Sequence, residues 1–359
     1  MKRDTLSLFR FFGGKNRFCK EIAELLDYDN TDVYIEPFGG SAAVLLNKPA
    51  HPLEIYSDVS QGLVALMQHL SDPDKASVLI DCLYDTEYSE ECFLENLKYR
   101  NSVDRNWLEK QQKELIKKRK RFFNKFKRKF IASKNKINVF KNLPTDNAKL
   151  DFIKNFINEK FSSKEIEELF SELNEVLYEM EVFESNEDVG LIPEVDPLKL
   201  AVATFVTYVM SRDGMGTGFS SAVFNSSEAY YRRIDKLYDV AERLKGVHIQ
   251  GSVGALSYLL ENSYLNNERA MFYIDAPYLS PDEDELNLGH PYIGQMTQED
   301  HVLLLETIVS SKAKFLISNY DTPTYNKYLS GWNKVTIDTA TSVGGKKDNK
   351  RVECLWYNY

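Results

Sequence analysis

The chain has 359 residues, 43% of them hydrophobic, and a formal net charge of −9 at pH 7. This length fits a core domain of roughly 220 to 250 residues that carries a large insertion. No run approaches the roughly 20 apolar residues of a membrane span, and the N-terminus lacks the apolar segment of a signal peptide, so we expect a cytoplasmic protein. Four scattered cysteines and five histidines without metal-ligand spacing predict free thiols and no metal site.

A glycine pair precedes the first predicted helix. Phe11 to Lys15 reads Phe-Phe-Gly-Gly-Lys, and apolar residues then recur at helical spacing from Phe18 to Leu26. Glycines such as Gly14 permit close approach of a ligand to the backbone, and Lys15 supplies a positive charge for a carboxylate or phosphate. The segment is not a P-loop, because the pattern Gly-x-x-x-x-Gly-Lys-Ser/Thr is absent.

A strand, a glycine turn and a helix follow. The pattern predicts a strand over Val33 to Glu36, a turn over Pro37 to Gly40, and a helix over Ser41 to Leu46 with its first residue as N-cap. A second predicted strand, Leu53 to Tyr56, ends at Asp58. An acid at this place, about twenty residues after a glycine turn, holds ribose hydroxyls in dinucleotide folds. The second glycine that lies against the phosphates in dinucleotide folds is missing here, which favours a nucleoside cofactor over a dinucleotide.

The alternation of strand and helix stops between about Lys75 and Pro193, where the sequence becomes charged and helical. We predict an inserted helical region at residues 75–245, between two parts of a core domain at 1–74 and 246–359. Lys110 to Lys141 contains fourteen Lys or Arg and one acid. Such asymmetry predicts a nucleic-acid contact, and a solvated charged helix is the alternative. The candidate phosphate-binding residues are Lys118, Arg119 and Arg121.

A glycine-rich loop follows the next predicted helix, which runs from Pro197 to Arg212. The loop, Asp213 to Ser220, has three glycines in five residues. Backbone N–H groups freed in such a loop can bind phosphates. The loop is therefore a second candidate for nucleic-acid contacts.

The most informative stretch is Met271 to Tyr278, in which an apolar, β-prone run ends at Asp275. This pattern predicts a buried strand that carries a carboxylate to the edge of an open sheet where ligands bind. The alternative is a strand that ends in a proline turn, with Tyr278 as packing. About seven strands with intervening helices, the last two an antiparallel pair at Val335 to Thr339 and Arg351 to Tyr357, indicate an α/β fold with a Rossmann-like sheet.

Asp275-Ala276-Pro277-Tyr278 resembles the Asp-Pro-Pro-Tyr signature of amino-methyltransferases. The order of motifs along the chain is similar to that of the Dam-type DNA adenine-N6 methyltransferases. The matching residues are Phe11 to Lys15, Glu36 to Gly40, Asp58, Gly251 with Ser252, Asp275 to Tyr278, Ser318-Asn319, and Arg351 with Glu353, Leu355, Asn358 and Tyr359. Residues from Lys75 to Pro193 have no counterpart in the resemblance.

The resemblance implies a Rossmann-like seven-stranded methyltransferase sheet with an inserted, mainly helical DNA-recognition subdomain. It also implies S-adenosyl-L-methionine as cofactor and double-stranded DNA as partner, and it leaves open whether a cognate restriction endonuclease exists. The implied cofactor-binding residues are Phe11, Gly14, Lys15, Glu36, Phe38, Gly39, Gly40, Asp58, Ser252 and Asp275. The implied DNA contacts come from residues 212–220, among them Arg212, Gly214 and Thr217.

Two positions depart from the family pattern. Ser252 stands where an acid is usual near the adenine of the cofactor, which would weaken cofactor binding. Ala276 replaces the first proline of the signature, but alanine keeps the backbone carbonyl that the chemistry requires. Only the fixed φ of proline is lost, a difference of about 0.4 to 1 kcal/mol.

The chemistry that the resemblance implies is activation of a poor nucleophile. The N6 lone pair of adenine is delocalised into the ring until hydrogen-bond acceptors hold its hydrogens, which Asp275 and the Ala276 carbonyl can do. Tyr278, which follows Pro277, is placed to stack on a flipped base. The alternatives are an N4-cytosine methyltransferase, an RNA amino-methyltransferase and an inactive cofactor-binding protein that binds DNA. Cytosine-C5 methylation would instead need a nucleophilic cysteine, which typically follows a proline in the enzymes that catalyse it, and here no cysteine follows a proline.

Overall fold

The computed structural model of the chain describes residues 5–103, 195–212, 214–221, 226–251, 255–260, 262–279, 296–340 and 350–359. These residues lie within one compact unit, formed by Met1–Asp104 together with Pro193–Tyr359. Within the described ranges, no helix is both long and apolar enough to cross a membrane. The same ranges contain no group of three or more His, Cys, Asp or Glu arranged to hold a metal ion.

Seven strands form one sheet in the order β3-β2-β1-β4-β5-β7-β6. The strands are β1 (Val33–Glu36), β2 (Leu53–Asp58), β3 (His248–Gly251), β4 (Ala270–Ile274), β5 (Lys314–Tyr320), β6 (Asn333–Ala340) and β7 (Lys350–Tyr357). The first five strands in this order pair in parallel, and β7 pairs antiparallel with both β5 and β6. The predicted α/β class and seven-stranded Rossmann-like sheet are confirmed.

Helices of the described ranges connect the strands. They are α1 (Cys19–Glu24), α2 (Ala43–Asn47), α3 (Gln61–Leu70), α4 (Pro73–Tyr84), α5 (Pro197–Val209), α6 (Ser227–Asp235), α7 (Leu237–Leu244), α8 (Ala255–Leu260), α9 (Gln298–Ser310) and α10 (Pro323–Tyr328). Residues 90–103 are also helical. Aspartates that accept hydrogen bonds from backbone N–H groups cap α4 and α5, and each of these helices begins with proline, which suits a first helical position.

Helix α2 begins two residues later than predicted. Ala42 adopts a left-handed conformation with φ 55°, and its N–H donates to the carbonyl of Gly39 at 2.8 Å. This tight turn delays the helix to Ala43, so the prediction of Ser41 as N-cap is wrong. A left-handed alanine is unusual enough that helical periodicity could not reveal it.

The described helices of the predicted insertion belong to the same compact unit as the sheet. Helix α3 packs against α4, α5 and α7, which come from residues 73–84, 197–209 and 237–244. The contact with α5 is close, because a Cβ added at Gly62 would lie 2.4 Å from the Thr204 hydroxyl oxygen. The functional division at residues 75 and 245 stays a prediction.

The strand order locates a crevice. The chain proceeds from β1 outward through β2 to β3, and β4 then pairs on the opposite side of β1. In open α/β sheets, ligands bind where the connections diverge in this way, outside the carboxyl ends of the strands. The ends of β1 and β4 carry Glu36 and Asp275, so the fold itself brings these two acids together.

Candidate active site

A buried ion pair lies at the carboxyl end of β4. Lys15 Nζ is 2.7 Å from Asp275 Oδ1 and 2.9 Å from Oδ2, and it also donates to the carbonyl of Gly13 at 2.8 Å. The Lys15 side chain is 7% exposed and that of Asp275 is 18% exposed. The sequence predicted that Lys15 would bind a negatively charged group of a ligand. In the structure its ammonium forms an ion pair with Asp275.

Charge and burial shift the pKa values of Lys15 and Asp275 in opposite directions. Burial raises the pKa of Asp275, and the positive charge of Lys15 partly offsets the effect. Burial also lowers the pKa of Lys15, but the negative charges of Asp275 and Glu353 outweigh it, so the pKa of Lys15 is raised overall. The Lys15 ammonium therefore favours the charged form of the Asp275 carboxyl, although burial leaves the pKa of that carboxyl raised overall.

The glycine turn is bonded to the end of β2. Asp58 Oδ2 accepts from the N–H of Gly40 at 2.8 Å, and its Oδ1 accepts from the N–H of Ser60 at 2.8 Å. The Tyr56 hydroxyl donates to the carbonyl of Gly40 at 2.7 Å. Because a carboxylate offers about four lone-pair sites, Asp58 keeps capacity for hydroxyl donors of a ligand.

The two glycines of the turn have different reasons to be glycine. A Cβ at Gly39 would lie 2.1 Å from the ring of Tyr56, so the packing of that ring requires glycine at this position. Gly40 has φ 49°, and a Cβ there would lie 3.0 Å from the ring of Phe11. Phe11 and Phe38 are half-buried beside the turn.

Glu36 ends β1 as a buried acid and is 2% exposed. Tyr34, on the same strand, donates its hydroxyl to Glu36 Oε2 at 3.0 Å. Burial raises the pKa of Glu36 to about 8, and the nearby charge of Asp275 adds to the rise although the Tyr34 hydrogen bond opposes it. A buried acid of this kind favours a cationic or donor partner.

Tyr278 lies beside the ion pair. Its hydroxyl donates to Glu353 Oε1 at 2.6 Å, and Lys15 Nζ lies 4.7 Å from the centroid of its ring. The ring of Tyr320 packs against it edge-on, with 4.8 Å between the centroids. Between Asp275 and Tyr278, Ala276 is buried and Pro277 is half-buried.

The glycine-rich loop contacts the N-terminal segment. The N–H of Phe12 donates to the carbonyl of Gly214 at 2.9 Å, and a Cβ at Gly214 would lie 2.5 Å from the nitrogen of Phe12. Gly216 has φ 67°, and its carbonyl accepts from Arg100 at 3.0 Å. The hydrogen bond between Phe12 and Gly214 thus holds the loop against the N-terminal segment that carries Lys15.

The predicted DNA-contacting residues differ in position. Arg212 and Thr217 are exposed, whereas Gly214 is buried against Phe12. The candidates Lys118, Arg119, Arg121 and Ser252 lie outside the described residues. Their roles stay predictions.

Two residues that organise this region, Arg100 and Glu353, have no role that the sequence predicts. Arg100 is 7% exposed and donates to the Thr207 hydroxyl as well as to the loop. Nothing distinguishes it in sequence from other basic residues of a charged helical stretch. Glu353 matched the family pattern, but the pattern gave it no function.

A family model described as D12 class N6 adenine-specific DNA methyltransferase matches residues 11–105. This segment contains Lys15, the glycine turn and Asp58, and it ends before β4. No curated protein matches the chain significantly.

The raised pKa of Glu36 predicts a pH dependence of stability. Between the ordinary pKa of 4.5 and about 8, the folded protein keeps a proton that the unfolded chain releases, so the free energy of unfolding falls as pH rises. Glu36→Gln removes this titration. Between pH 5 and pH 8, the free energy of unfolding of the wild type, measured with urea, should therefore fall by about 3 kcal/mol relative to that of Glu36→Gln.

The control is Glu242→Gln, which changes an exposed acid of α7. It shows the effect of replacing one acid by glutamine at the surface. If the difference between Glu36→Gln and the wild type did not change between pH 5 and pH 8, the raised pKa of Glu36 would be wrong.

Proposed function

We propose that the chain is an N6 adenine-specific DNA methyltransferase of the D12 class, the family whose model matches residues 11–105, and that residues at the carboxyl edge of its sheet bind the cofactor and activate the target amine. The enzyme methylates N6 of adenine in DNA at specific sites. The observation that carries the proposal is the contact of Lys15, in the segment matched by the family model, with Asp275 at the end of β4. It joins the two halves of one active site.

The proposed methyl donor is S-adenosyl-L-methionine, which supplies an electrophilic methyl group on a sulfonium when it is bound. The chemistry of the residues around the glycine turn fits such a cationic nucleoside. Glu36 is a buried acid that suits a positive charge, and Asp58 ends the second strand where ribose hydroxyls are held in related folds. The half-buried rings of Phe11 and Phe38 offer apolar surface for the rest of the molecule.

Asp275 is the proposed acceptor for the target amine. The Lys15 ammonium keeps its carboxylate charged, and a charged acceptor bonds an N–H about twice as strongly as a neutral one. The Ala276 carbonyl is the second acceptor. Together they hold the amine hydrogens so that the nitrogen becomes pyramidal and its lone pair leaves conjugation with the ring. They also stabilise the positive charge that develops on nitrogen as the methyl group arrives, and the Asp275 carboxylate accepts the proton that the methylated amine then loses.

In duplex DNA the adenine is stacked and its N6 amine is paired with thymine, so the target base must leave the stack to enter the active site. We assign the stacking surface to Tyr278, whose ring lies beside Asp275 and is braced by Tyr320. Double-stranded DNA is thus the proposed substrate form. A cognate restriction endonuclease and a cytoplasmic location stay predictions from the sequence.

Cofactor binding in the absence of DNA tests the role of the glycine turn. Gly40→Ala forces a left-handed alanine against Phe11, so calorimetry should show S-adenosyl-L-methionine affinity reduced by about tenfold or more. Gly246→Ala is the matched control, because Gly246 also has a positive φ, 82°, but an added Cβ meets nothing within 4 Å. Equal loss of affinity in both variants would assign the effect to backbone strain and remove Gly40 from the site.

Substitution of Asp275 tests the proposed chemistry. Asp275→Ala should retain S-adenosyl-L-methionine binding but lose methyl transfer, since removal of one such electrostatic group costs roughly 3 kcal/mol or more. Asp275→Asn should keep a trace, because an amide oxygen still accepts one hydrogen bond. Transfer is measured with labelled cofactor on plasmid DNA, followed by nucleoside analysis.

The matched control is Asp32→Asn, which breaks an exposed ion pair with Arg269 away from the site. This variant should methylate like the wild type. Full activity of Asp275→Ala would disprove the role of Asp275. If the wild type produced only N4-methylcytosine, the target would be N4 of cytosine rather than N6 of adenine.

A further inference from the structure

Glu353 is a buried acid on β7, 8% exposed, and it lies opposite Tyr320 of β5 in the antiparallel pairing. Its Oε1 accepts the hydroxyl of Tyr278 at 2.6 Å. A separation of 2.5–2.7 Å is typical of O–H donors bonded to a charged acceptor. The contact therefore links β7, in the antiparallel part of the sheet, to the Asp275-Ala276-Pro277-Tyr278 motif that follows β4.

The position of Lys15 explains why this acid can carry a charge. Lys15 Nζ lies 3.7 Å from the same Oε1 of Glu353 that accepts the Tyr278 hydroxyl. A buried carboxylate needs such a partner, because the loss of water is costly. One lysine thus serves two acids, Asp275 by direct contact and Glu353 at longer range.

The Tyr278 ring is held at several points. Its hydroxyl is bonded to Glu353, the edge-on Tyr320 ring limits its rotation, and the next residue, Leu279, donates its N–H to Asn319 Oδ1 at 3.3 Å. Burial and the charges of Asp275 and Glu353 raise the pKa of Tyr278 well above its usual value, so the hydroxyl stays a donor. The ring has a defined orientation before any base arrives.

We propose that Glu353 is a positioning residue for methyl transfer, which orients the Tyr278 ring through its hydroxyl so that a base stacked on that ring presents its amine to Asp275. This inference rests on the proposed function. A ring that is free to turn would bind the base with its amine in a range of positions, and small displacements from the reactive geometry cost large factors in rate. The effect falls on kcat, because the orientation matters most in the transition state.

A double-mutant cycle tests the proposal, with kcat measured on plasmid DNA at saturating S-adenosyl-L-methionine. In the wild-type background, Tyr278→Phe should reduce kcat about tenfold, the factor expected for loss of one hydrogen bond to a charged group. In the Glu353→Leu background, the same change should cost less than about twofold, because the bond is already lost. Glu353→Gln, which keeps an acceptor without the charge, should restore part of the rate that Glu353→Leu loses. The KM for the cofactor should stay within about twofold of the wild-type value.

The matched control is Glu306→Leu, which removes the acceptor of another tyrosine hydroxyl, that of Tyr328, at 3.2 Å on the exposed surface. This variant should leave kcat unchanged. If Glu353→Leu does not fold, the cycle is run with Glu353→Gln, in which Tyr278→Phe should again cost less than in the wild type.

The inference is overturned if Tyr278→Phe costs the same factor in both backgrounds while the wild type produces N6-methyladenine. Failure of the wild type to methylate adenine in any DNA would overturn the proposed function as well. The two failures are therefore distinguishable.

Discussion

The ion pair between Lys15 and Asp275 is the contact on which the site depends. It joins residues 260 positions apart in the chain and places a cation against a carboxylate where little water remains. Without the lysine, burial would favour the neutral acid, which accepts hydrogen bonds poorly. With it, the carboxyl group at the end of β4 is paired with a cation and lies beside the ring of Tyr278.

The N-terminal segment gains its position from several contacts. The ring of Phe9 stacks on Tyr208 of α5 with 4.6 Å between centroids, and Phe12 is bonded to Gly214 in the glycine-rich loop. Arg100 anchors that same loop through Gly216. The glycine-rich loop and the N-terminal segment that carries Lys15 are thus held together by direct contacts.

The strands could be predicted because buried β-strands have a local signature. The prediction for β1 matches the structure at both ends, and that for β4 misses only Ala270. The acids at strand ends, Glu36, Asp58 and Asp275, could be found in the same way, because strand order and the carboxyl edge of a parallel sheet bring them together.

Long-range contacts and unusual backbone conformations could not be predicted. Nothing near Lys15 in sequence indicates that its partner lies at the end of β4, and nothing in Arg100 indicates a loop more than a hundred residues away. The left-handed Ala42 contradicts the preference of alanine, so the start of α2 was missed. The sequence also does not reveal that the ring of Tyr56 fills the space beside Gly39, because side chains from a neighbouring strand are invisible to a local pattern.

The most direct measurement is a crystal structure of the protein with a non-reactive analogue of S-adenosylmethionine and a duplex that contains the target adenine. The account predicts a flipped adenine stacked on Tyr278, with N6 within hydrogen-bond distance of an Asp275 carboxylate oxygen and of the Ala276 carbonyl. It also predicts that Lys15 keeps its contact with Asp275. A flipped base whose amine is bonded to other groups, with Asp275 still fully occupied by Lys15, would contradict the central claim.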